Sequence, residues 1–283
     1  MSKSLCGIGF NGSILRLPSG NYIGLIRRDT PINKDGVYPQ GHSTIYFIEL
    51  SSVFDVIQCK LLEDTLDRLR HTSWSSGLED PRIITSKSCL CVTLDTNTEW
   101  KAEMSYVEFD SEKGSITKIQ PLKIENLPRK IEKNWIVLEH EGIDATILYS
   151  TSPLIILKVN LDSGIGSILY EDPGIPFHAH NGSSVRLDDG SFLLSVRVKD
   201  GIHYKQSFWI KMRRDYTIES ISKPYRFSTN EFRDEYTDRE VYEMCMSMHI
   251  ENGNIIASVG MNDTHVTIYM ICLSDILEGL RTI

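Results

Sequence analysis

The chain repeats one layout five times, and this repetition constrains its fold more than any other feature of the sequence. Each repeat has a polar or charged head, an apolar strand-like run, a turn, and a second run that ends in polar residues. The runs are rich in β-branched and aromatic residues and are bounded by Gly, Asn, Asp or Ser, as β-strands are. The five repeats span residues 10–29, 79–94, 132–150, 178–197 and 242–263.

Each repeat then continues into at least one more strand-like run. These further runs lie at residues 43–50, 104–109, 154–159, 207–212 and 266–272. Repeats of this length with several strands each are the signature of a β-propeller, which closes radially and leaves only short edges. The sequence therefore predicts an all-β fold, a five-bladed β-propeller whose polar heads point toward one central funnel.

Helical periodicity is scarce in the chain. The tail, residues 273–280, is the clearest helix candidate, with Ser274 or Asp275 as its cap, and residues 61–69 form a second candidate. The chain has 283 residues, a hydrophobic content of 41%, and neither a long linker nor a low-complexity tract. Large β folds of this length often form one domain, and we predict a single domain over residues 1–283.

Charge and cysteine usage bear on partners and on location. The net charge of −8 and the isoelectric point of about 5.5 disfavour non-specific binding to nucleic acid or anionic lipid. The N-terminal residues lack the apolar core of a signal peptide, and no apolar run is long enough to span a bilayer. The six cysteines show no CxxC pairing and are read as reduced thiols. We expect a cytoplasmic protein that binds neither nucleic acid nor membrane.

The head Glu79-Asp80-Pro81-Arg82 concentrates groups suited to acid–base chemistry. Pro81 disfavours helical geometry at the residue before it, so Asp80 is predicted to be extended and held in a defined direction. Arg82 can pair with a carboxylate or with an anionic substrate. A surface turn with an ion pair is the simpler interpretation of this segment alone, but a held carboxylate beside a cation is also what acid–base catalysis requires.

The histidines of the sequence give weak support for a metal site. His178 and His180 would lie on one face of an extended segment, and His203 or His140 could join them. No third ligand is identifiable, so we predict no metal. The sequence also lacks a nucleophile elbow, a glycine-rich phosphate loop and a dinucleotide fingerprint, and no cofactor is expected.

Several heads resemble motifs of a known family. Three of them resemble, in the same order, three motifs of glycoside hydrolase family 130, and two more resemble its first-blade sugar contacts. That family contains the β-mannoside phosphorylases and β-1,2-mannosidases, built on five-bladed propellers; a related family of eukaryotic β-1,2-mannosyltransferases, which can also act as phosphorylases, is similar in the same motifs. The three motifs are Glu79-Asp80-Pro81-Arg82, Glu132-Lys133-Asn134-Trp135 and Ser258-Val259-Gly260-Met261-Asn262-Asp263, and the two contacts are Asn11-Gly12-Ser13-Ile14 and Arg27-Arg28-Asp29.

The resemblance implies roles for individual residues. Asp80 matches the catalytic acid, which donates its proton through a sugar hydroxyl while inorganic phosphate, a co-substrate, attacks the anomeric carbon with inversion. The expected substrate-binding residues are Asn11, Ser13, Arg27, Asp29, Arg82, Lys133, Asn134 and Asp263. A phosphate dianion would need several cationic donors in one pocket. The candidates for this phosphate-binding set are His178 and His180, near the family's phosphate-side segment, with Arg197 and Lys199 at strand ends.

Several alternatives stay open at this point. Phosphorolysis of an oligosaccharide, or its reversal from a sugar 1-phosphate, is favoured; transfer from a nucleotide sugar, hydrolysis, and sugar binding without catalysis are the others. An inverting hydrolase would need a second carboxylate at about 6.5–9.5 Å from the acid. Candidates for that carboxylate are Glu171, Asp172 and Glu243, and candidates for an aromatic platform under the sugar are Trp135, Tyr149 and Tyr242. The linkage and the acceptor stay open as well. So does the oligomeric state, for which a homo-oligomer is one possibility.

Overall fold

The computed structural model describes residues 2–5, 7–31, 41–64, 76–95, 101–125, 127, 133–177, 179–200, 203–232 and 242–282. Strands dominate this part of the chain, so the predicted all-β class is confirmed. The predicted C-terminal helix is present as a six-residue helix, Leu273–Glu278. The second predicted helix is wrong where it can be compared, because Leu61 ends one strand and the next strand follows at Glu63–Asp64. The rest of that segment lies outside the described residues.

Most strands fall into five consecutive groups, in each of which neighbouring strands pair antiparallel. The chain opens with β1 (Ser2–Ser4), and group 1 contains β2 (Phe10–Arg16), β3 (Tyr22–Pro31), β4 (Gly41–Leu50) and β5 (Val56–Leu61). After β6 (Glu63–Asp64), group 2 contains β7 (Ser76–Thr85), β8 (Ser88–Asp95), β9 (Lys101–Asp110) and β10 (Ser115–Pro121). After β11 (Lys123–Ile124), group 3 contains β12 (Ile136–Glu141), β13 (Asp144–Thr151), β14 (Leu154–Asn160) and β15 (Ile165–Asp172).

The second half of the chain continues this pattern. Group 4 contains β16 (Ala179–Arg186), β17 (Phe192–Asp200), β18 (His203–Met212) and β19 (Ile218–Ser222), followed by the short strands β20 (Tyr225–Arg226) and β21 (Glu231–Phe232). Group 5 contains β22 (Glu243–Glu251), β23 (Asn254–Met261) and β24 (His265–Cys272), followed by α1 (Leu273–Glu278) and β25 (Leu280–Thr282). The first strand of the chain supplies the fourth strand of group 5, since β1 pairs antiparallel with β24. In the same way β25 adds to group 4 by pairing with β19.

Local sequence explains how two of these strands are placed. Asn252 and Gly253 have φ values of 49° and 74° and form the two-residue turn between β22 and β23, which is the Asn-Gly hairpin geometry. Gly77, with φ of 105°, lies where β7 runs parallel to β4, opposite Ser43. A Cβ atom at Gly77 would lie 2.0 Å from the Ser43 carbonyl oxygen, so only glycine permits this approach. Groups 1 and 2 thereby join in one sheet.

The apolar core is divided into five clusters, and each cluster is built from two groups that are neighbours in the sequence or from groups 5 and 1. Representative buried members from the two sides are Leu25 and Cys91, Leu90 and Ile147, Ile156 and Leu194, Leu193 and Ile255, and Ile256 and Ile14. Strands packed on both faces should read as continuous apolar runs, and the buried run at residues 154–157 does so. Apolar burial between groups therefore adds to the strand pairs that join them.

The first strands of the five groups contact one another in a cyclic order. β2 contacts β7, β7 contacts β12, β12 contacts β16, β16 contacts β22, and β22 contacts β2. Each first strand also shifts register against its second strand, at residues 10–13, 79–82, 137–139, 181–183 and 245–247. Such β-bulges bend a strand and redirect its side chains, and they are frequent beside functional sites. The first two bulges contain Asn11 and Asp80.

The described part of the chain also bears on cysteines and membrane segments. Cys89, Cys91 and Cys245 are buried thiols, whereas Cys59 and Cys272 are exposed, and these five are free. Cys6 lies outside the described residues. Among the residues that the structure describes, no helix has the length and apolar character needed to cross a membrane.

Candidate functional site

A network of polar side chains joins the heads of groups 1, 2 and 5. We call it the Asp80 cluster, and its members are Asn11, Arg27, Asp29, Glu79, Asp80 and Asp263. The amide nitrogen of Asn11 donates to Asp80 Oδ1 at 2.9 Å and to Asp263 Oδ1 at 3.0 Å. These three residues come from β2, β7 and the turn after β23, so tertiary structure alone brings them together.

Arg27 organises the other side of the cluster. Its guanidinium donates to both carboxylate oxygens of Asp29 at 2.9 and 3.0 Å, to Glu79 Oε1 at 2.5 Å, and to Asp80 Oδ1 at 3.3 Å. Burial of Arg27 works against its charge, but the carboxylates outweigh that effect and hold the pKa of the guanidinium above its usual value. The Arg27 guanidinium therefore donates hydrogen bonds to three carboxylates.

The backbone of the site is strained at four polar residues. Asn11, Asp80, Asn134 and Asp263 have φ values of 46°, 49°, 64° and 50°, all in the left-handed region. Such conformations cost about 1–3 kcal/mol each and persist where the surroundings over-determine them, often at functional sites. The extended geometry predicted for Asp80 is therefore wrong. The bulge at residues 79–82 overrides the preference that Pro81 imposes, and Asn11 and Arg27 fix the carboxylate instead.

Glu79 was absent from the site residues predicted from the sequence. Burial raises the pKa of Glu79 to about 7; the charges of Arg27 and Lys133 oppose this rise, whereas those of Asp80 and Asp29 add to it. Consecutive residues of a regular strand point to opposite faces. Because the bulge interrupts that alternation, Glu79 and Asp80 reach the same guanidinium. The two adjacent acids were the only sequence signal for this arrangement.

Asp263 and Tyr242 form the group 5 side of the site. Burial raises the pKa of Asp263, and the hydrogen bond from Asn11 and the charge of Arg197 oppose this rise. Tyr242 exchanges two hydrogen bonds with Asn262, one residue before Asp263. Burial also raises the pKa of Tyr242 to about 12, and the Arg197 guanidinium lies 3.9 Å from its ring centroid. Of the three predicted aromatic platforms, Tyr242 is the one beside the cluster.

Two predicted sugar contacts have hydrogen-bond partners within the protein. Ser13 is fully buried, and its hydroxyl oxygen accepts a hydrogen bond from the Ile83 N–H at 2.9 Å, which links β2 to β7. Arg82 is 6% exposed and donates to the Gly182 carbonyl oxygen, which links β7 to β16. Burial lowers the pKa of Arg82, and the charge of Asp80 opposes that effect. Both residues therefore join the first strands of different groups, and their contact with substrate stays a prediction.

Several other candidates also lie in structural positions. Trp135 and Tyr149 are buried in the core between groups 2 and 3 with ring centroids 5.3 Å apart, so neither is a platform for a sugar. Glu171 and Asp172 are exposed on β15, the fourth strand of group 3. Glu243 is buried, and its two carboxylate oxygens accept the N–H groups of residues 227 and 228 at 2.9 Å each. Their positions do not fit the water-activating base that a hydrolase would need.

The remaining predicted residues lie around the cluster. Lys133 is exposed and close enough to Glu79 to influence its pKa. The Asn134 amide nitrogen lies 3.2 Å from His180 Nδ1. Arg197 is buried and donates to the Glu243 carbonyl oxygen at 2.8 Å. His178 and the side chain of Lys199 lie outside the described residues. Across the described ranges, no group of His, Cys, Asp and Glu side chains is arranged to hold a metal ion.

Comparison with known proteins shows which solved structures have a similar fold. No family model and no curated protein matches the sequence. Solved structures match over nearly the whole chain, and the following three each share 12% identity with it. A glycosyl hydrolase from Bacteroides ovatus matches with a TM-score of 0.64 over 94% of this chain and 84% of that one. A β-1,2-mannobiose phosphorylase from Listeria innocua, bound to β-1,2-mannobiose, matches at 0.61 over 98% and 92%. A mannose phosphorylase from Leishmania mexicana, bound to phosphate, matches at 0.58 over 97% and 86%.

At these identities the likeness shows a shared fold. The neighbours include phosphorylases that act on mannose and mannobiose, as the resemblance of the sequence motifs to glycoside hydrolase family 130 led us to expect. The resemblance of the motifs and the likeness of the fold therefore agree.

Proposed function

We propose that this chain is a carbohydrate-active enzyme that cleaves or forms β-mannosidic bonds, and that its reaction is phosphorolysis with inversion. One observation carries the proposal. The carboxylate of Asp80 is held between the Asn11 amide and the Arg27 guanidinium, on a strained residue within the motif that resembles the family's catalytic-acid motif. A carboxylate fixed in this way, and 13% exposed, suits proton transfer to a polar ligand.

We further propose that the five groups are five blades of one propeller that forms a single domain over residues 1–283. The cyclic contacts of the first strands support this arrangement, as do the five clusters between successive groups. In such a propeller the first strands surround the axis, and the Asp80 cluster would line the funnel. The fold likeness to known mannoside enzymes agrees with the proposal.

The proposed step needs no covalent enzyme intermediate. A phosphate oxygen attacks the anomeric carbon, the glycosidic C–O bond breaks, and the leaving oxygen takes a proton that Asp80 supplies through a sugar hydroxyl. Attack with inversion on a β-mannoside yields α-mannose 1-phosphate and a sugar shortened by one unit. Asn11, Arg27, Asp29 and Asp263 would bind the hydroxyls of the mannosyl unit, since carboxylates accept and amide and guanidinium groups donate hydrogen bonds.

None of the three carboxylates predicted as a water-activating base has a position that supports hydrolysis. Glu171 and Asp172 lie on an outer strand, and both oxygens of Glu243 are already hydrogen bonded. An incoming phosphate needs cationic donors rather than a base that activates water. We propose that Arg197 and His180, with His178 and Lys199, bind the phosphate. Inorganic phosphate is then the co-substrate, and no cofactor is needed. We also propose a cytoplasmic location.

A product assay tests the proposal. The protein is incubated with β-mannobioses with and without inorganic phosphate, and the products are followed by phosphorus NMR and anion-exchange chromatography. We expect α-mannose 1-phosphate to form only when phosphate is present. Free mannose in equal amounts under both conditions would indicate a hydrolase, and turnover only with GDP-mannose would indicate a transferase. Binding without turnover under any of these conditions would indicate a sugar-binding propeller.

A methyl group at Gly260 is expected to disturb the cluster without touching its charges. A Cβ atom there would lie 2.1 Å from Asn11 Oδ1 and 3.2 Å from Asn11 Cα. Gly260→Ala should therefore displace the amide that joins Asp80 to Asp263. Hydrogen bonds to charged groups contribute about 1.5–3 kcal/mol, so affinity for β-mannobiose, measured by calorimetry, should fall by about 10- to 100-fold.

The matched control for this variant is Gly253→Ala. A Cβ atom at Gly253 meets nothing within 4 Å, and the residue lies in the turn between β22 and β23. This control should lose some stability, because its φ is 74°, but should keep its affinity for the sugar. Equal affinities in the two variants would show that the position of Asn11 does not matter for binding.

A further inference from the structure

Glu79 and Asp80 share the Arg27 guanidinium, and their hydrogen bonds to it differ in length. Glu79 Oε1 lies 2.5 Å from Arg27 Nη2, whereas Asp80 Oδ1 lies 3.3 Å from Arg27 Nη1. Asp29 holds Nε and Nη2 of the same group at 2.9 and 3.0 Å. The side chains of Arg27, Glu79 and Asp80 are only 13–15% exposed, so solvent screens this competition weakly.

The groups around Glu79 come from several strands, and their charges do not balance. Arg27 and Asp29 approach from β3, Asp80 follows in β7, and Lys133 lies ahead of β12. The hydroxyl of Ser43 on β4 donates to Asp29 at 2.7 Å and lies 3.4 Å from Glu79 Oε1. Asn11 on β2 is neutral, and the Cys91 thiol on β8 is buried and keeps its proton because burial raises its pKa.

Three carboxylates thus surround the largely buried Arg27 guanidinium, and a fourth, Asp263, is joined to them through Asn11. Of the two cations that act on Glu79, Arg27 and Lys133, the second is exposed to solvent. Arg82 acts on Asp80 and Arg197 acts on Asp263. Carboxylates that share a site cannot all ionise without cost. The cluster therefore favours binding one proton near neutral pH, and Glu79 is the member best placed to hold it.

We propose that Glu79 is a positioning residue. Its protonation state decides whether the Arg27 guanidinium bonds mainly to Glu79 or to Asp80. With the proton bound, Glu79 is a weak partner, and Arg27 is free to orient the carboxyl group of Asp80. Without the proton, Glu79 draws the guanidinium toward itself and adds a negative charge that repels an incoming phosphate. The inference rests on the proposed function, since it assigns to Asp80 the transfer of the proton.

The expected consequence is a pH-dependent loss of turnover. Because burial raises the pKa of Glu79 to about 7, its proton is lost as the pH rises through that value. Turnover of a β-mannobiose with phosphate should then decrease above pH 7, approaching tenfold per pH unit. Glu79→Gln keeps the shape and an acceptor for Arg27 but is always neutral. The turnover of this variant should stay level for at least one further pH unit, with KM for the sugar changed less than about threefold.

The controls separate this effect from ionisation elsewhere. Titration of phosphate itself affects the wild type and the variant alike, so the difference between the two profiles isolates Glu79. Glu278→Gln removes the same charge from the exposed end of the C-terminal helix, and its profile should match that of the wild type. The inference is overturned if Glu79→Gln and the wild type lose turnover at the same pH, even where the variant is less stable.

A second measurement does not depend on turnover or on a variant. In wild-type protein labelled with ¹³C at the glutamate carboxyl carbons, one resonance should titrate with a midpoint near pH 7, apart from those of exposed glutamates. If every glutamate resonance titrates with a midpoint below pH 5, the inference is overturned. Failure to cleave any β-mannoside would instead contradict the proposed function and leave this titration result unaffected.

Discussion

Replacing Asp80 by asparagine should reduce turnover by about 10²- to 10⁴-fold, which is the typical contribution of a general acid. The asparagine side chain has nearly the same shape and can keep a contact with Arg27, but it has no proton to transfer. Affinity for β-mannobiose should change far less than turnover. The measurement is the rate of α-mannose 1-phosphate formation under saturating sugar and phosphate, together with calorimetric binding of the sugar.

A matched control for Asp80→Asn is Asp188→Asn. Asp188 is an exposed aspartate in the turn between β16 and β17, and its replacement should leave both turnover and affinity unchanged. A variant at position 80 that cleaves β-mannobiose at the wild-type rate would show that another group supplies the proton.

Removing the guanidinium of Arg27 should destabilise the protein strongly. Arg27→Met leaves Asp29, Glu79 and Asp80 without the largely buried cation that they share. Breaking a buried ion pair by removing one partner costs about 3–5 kcal/mol, and we expect a loss of that size in the free energy of unfolding at pH 8. The loss should be smaller at pH 5, because carboxylates without a cation partner bind protons more readily and are then neutral.

Urea unfolding at the two pH values measures this effect. Arg28→Met is the matched control, since Arg28 is the neighbouring residue but is exposed, with its guanidinium 5.6 Å from the ring centroid of Tyr46. Replacement of a surface residue of this kind usually changes stability by less than about 0.5 kcal/mol. Equal losses in the two variants, or a loss from Arg27→Met that does not depend on pH, would mean that the carboxylates do not depend on Arg27.

The β class and the repeats could be predicted from the sequence because strand composition and turn residues are local signals. The Asn252-Gly253 turn and the apolar run at residues 154–157 both lie where the pattern predicted them. The resemblance of the polar heads to known motifs also identified Asn11, Arg27, Asp29, Asp80 and Asp263, which do form one cluster. Five-bladed closure stays a prediction.

The rest of the site depends on bulges, which sequence periodicity does not reveal. A regular strand would place Glu79 and Asp80 on opposite faces, and a pattern-based argument could not bring both to Arg27. The same bulge gives Asp80 a left-handed backbone where Pro81 predicted an extended one. Burial of individual side chains is the second property that the sequence does not reveal. Ser13, Arg82, Trp135 and Tyr149 have side chains that suit a sugar site, but they lie between groups, where such side chains also satisfy packing and hydrogen bonding.

We expect the Asp80 cluster to bind the mannosyl unit whose bond is broken. The most direct test is a crystal structure of the Asp80→Asn variant with β-1,2-mannobiose, since slow turnover preserves the complex. We expect a mannosyl ring whose hydroxyls lie within hydrogen-bond distance of Asn11, Asp263 and position 80. A sugar bound elsewhere on the protein, with the cluster occupied only by water at saturating ligand, would contradict it.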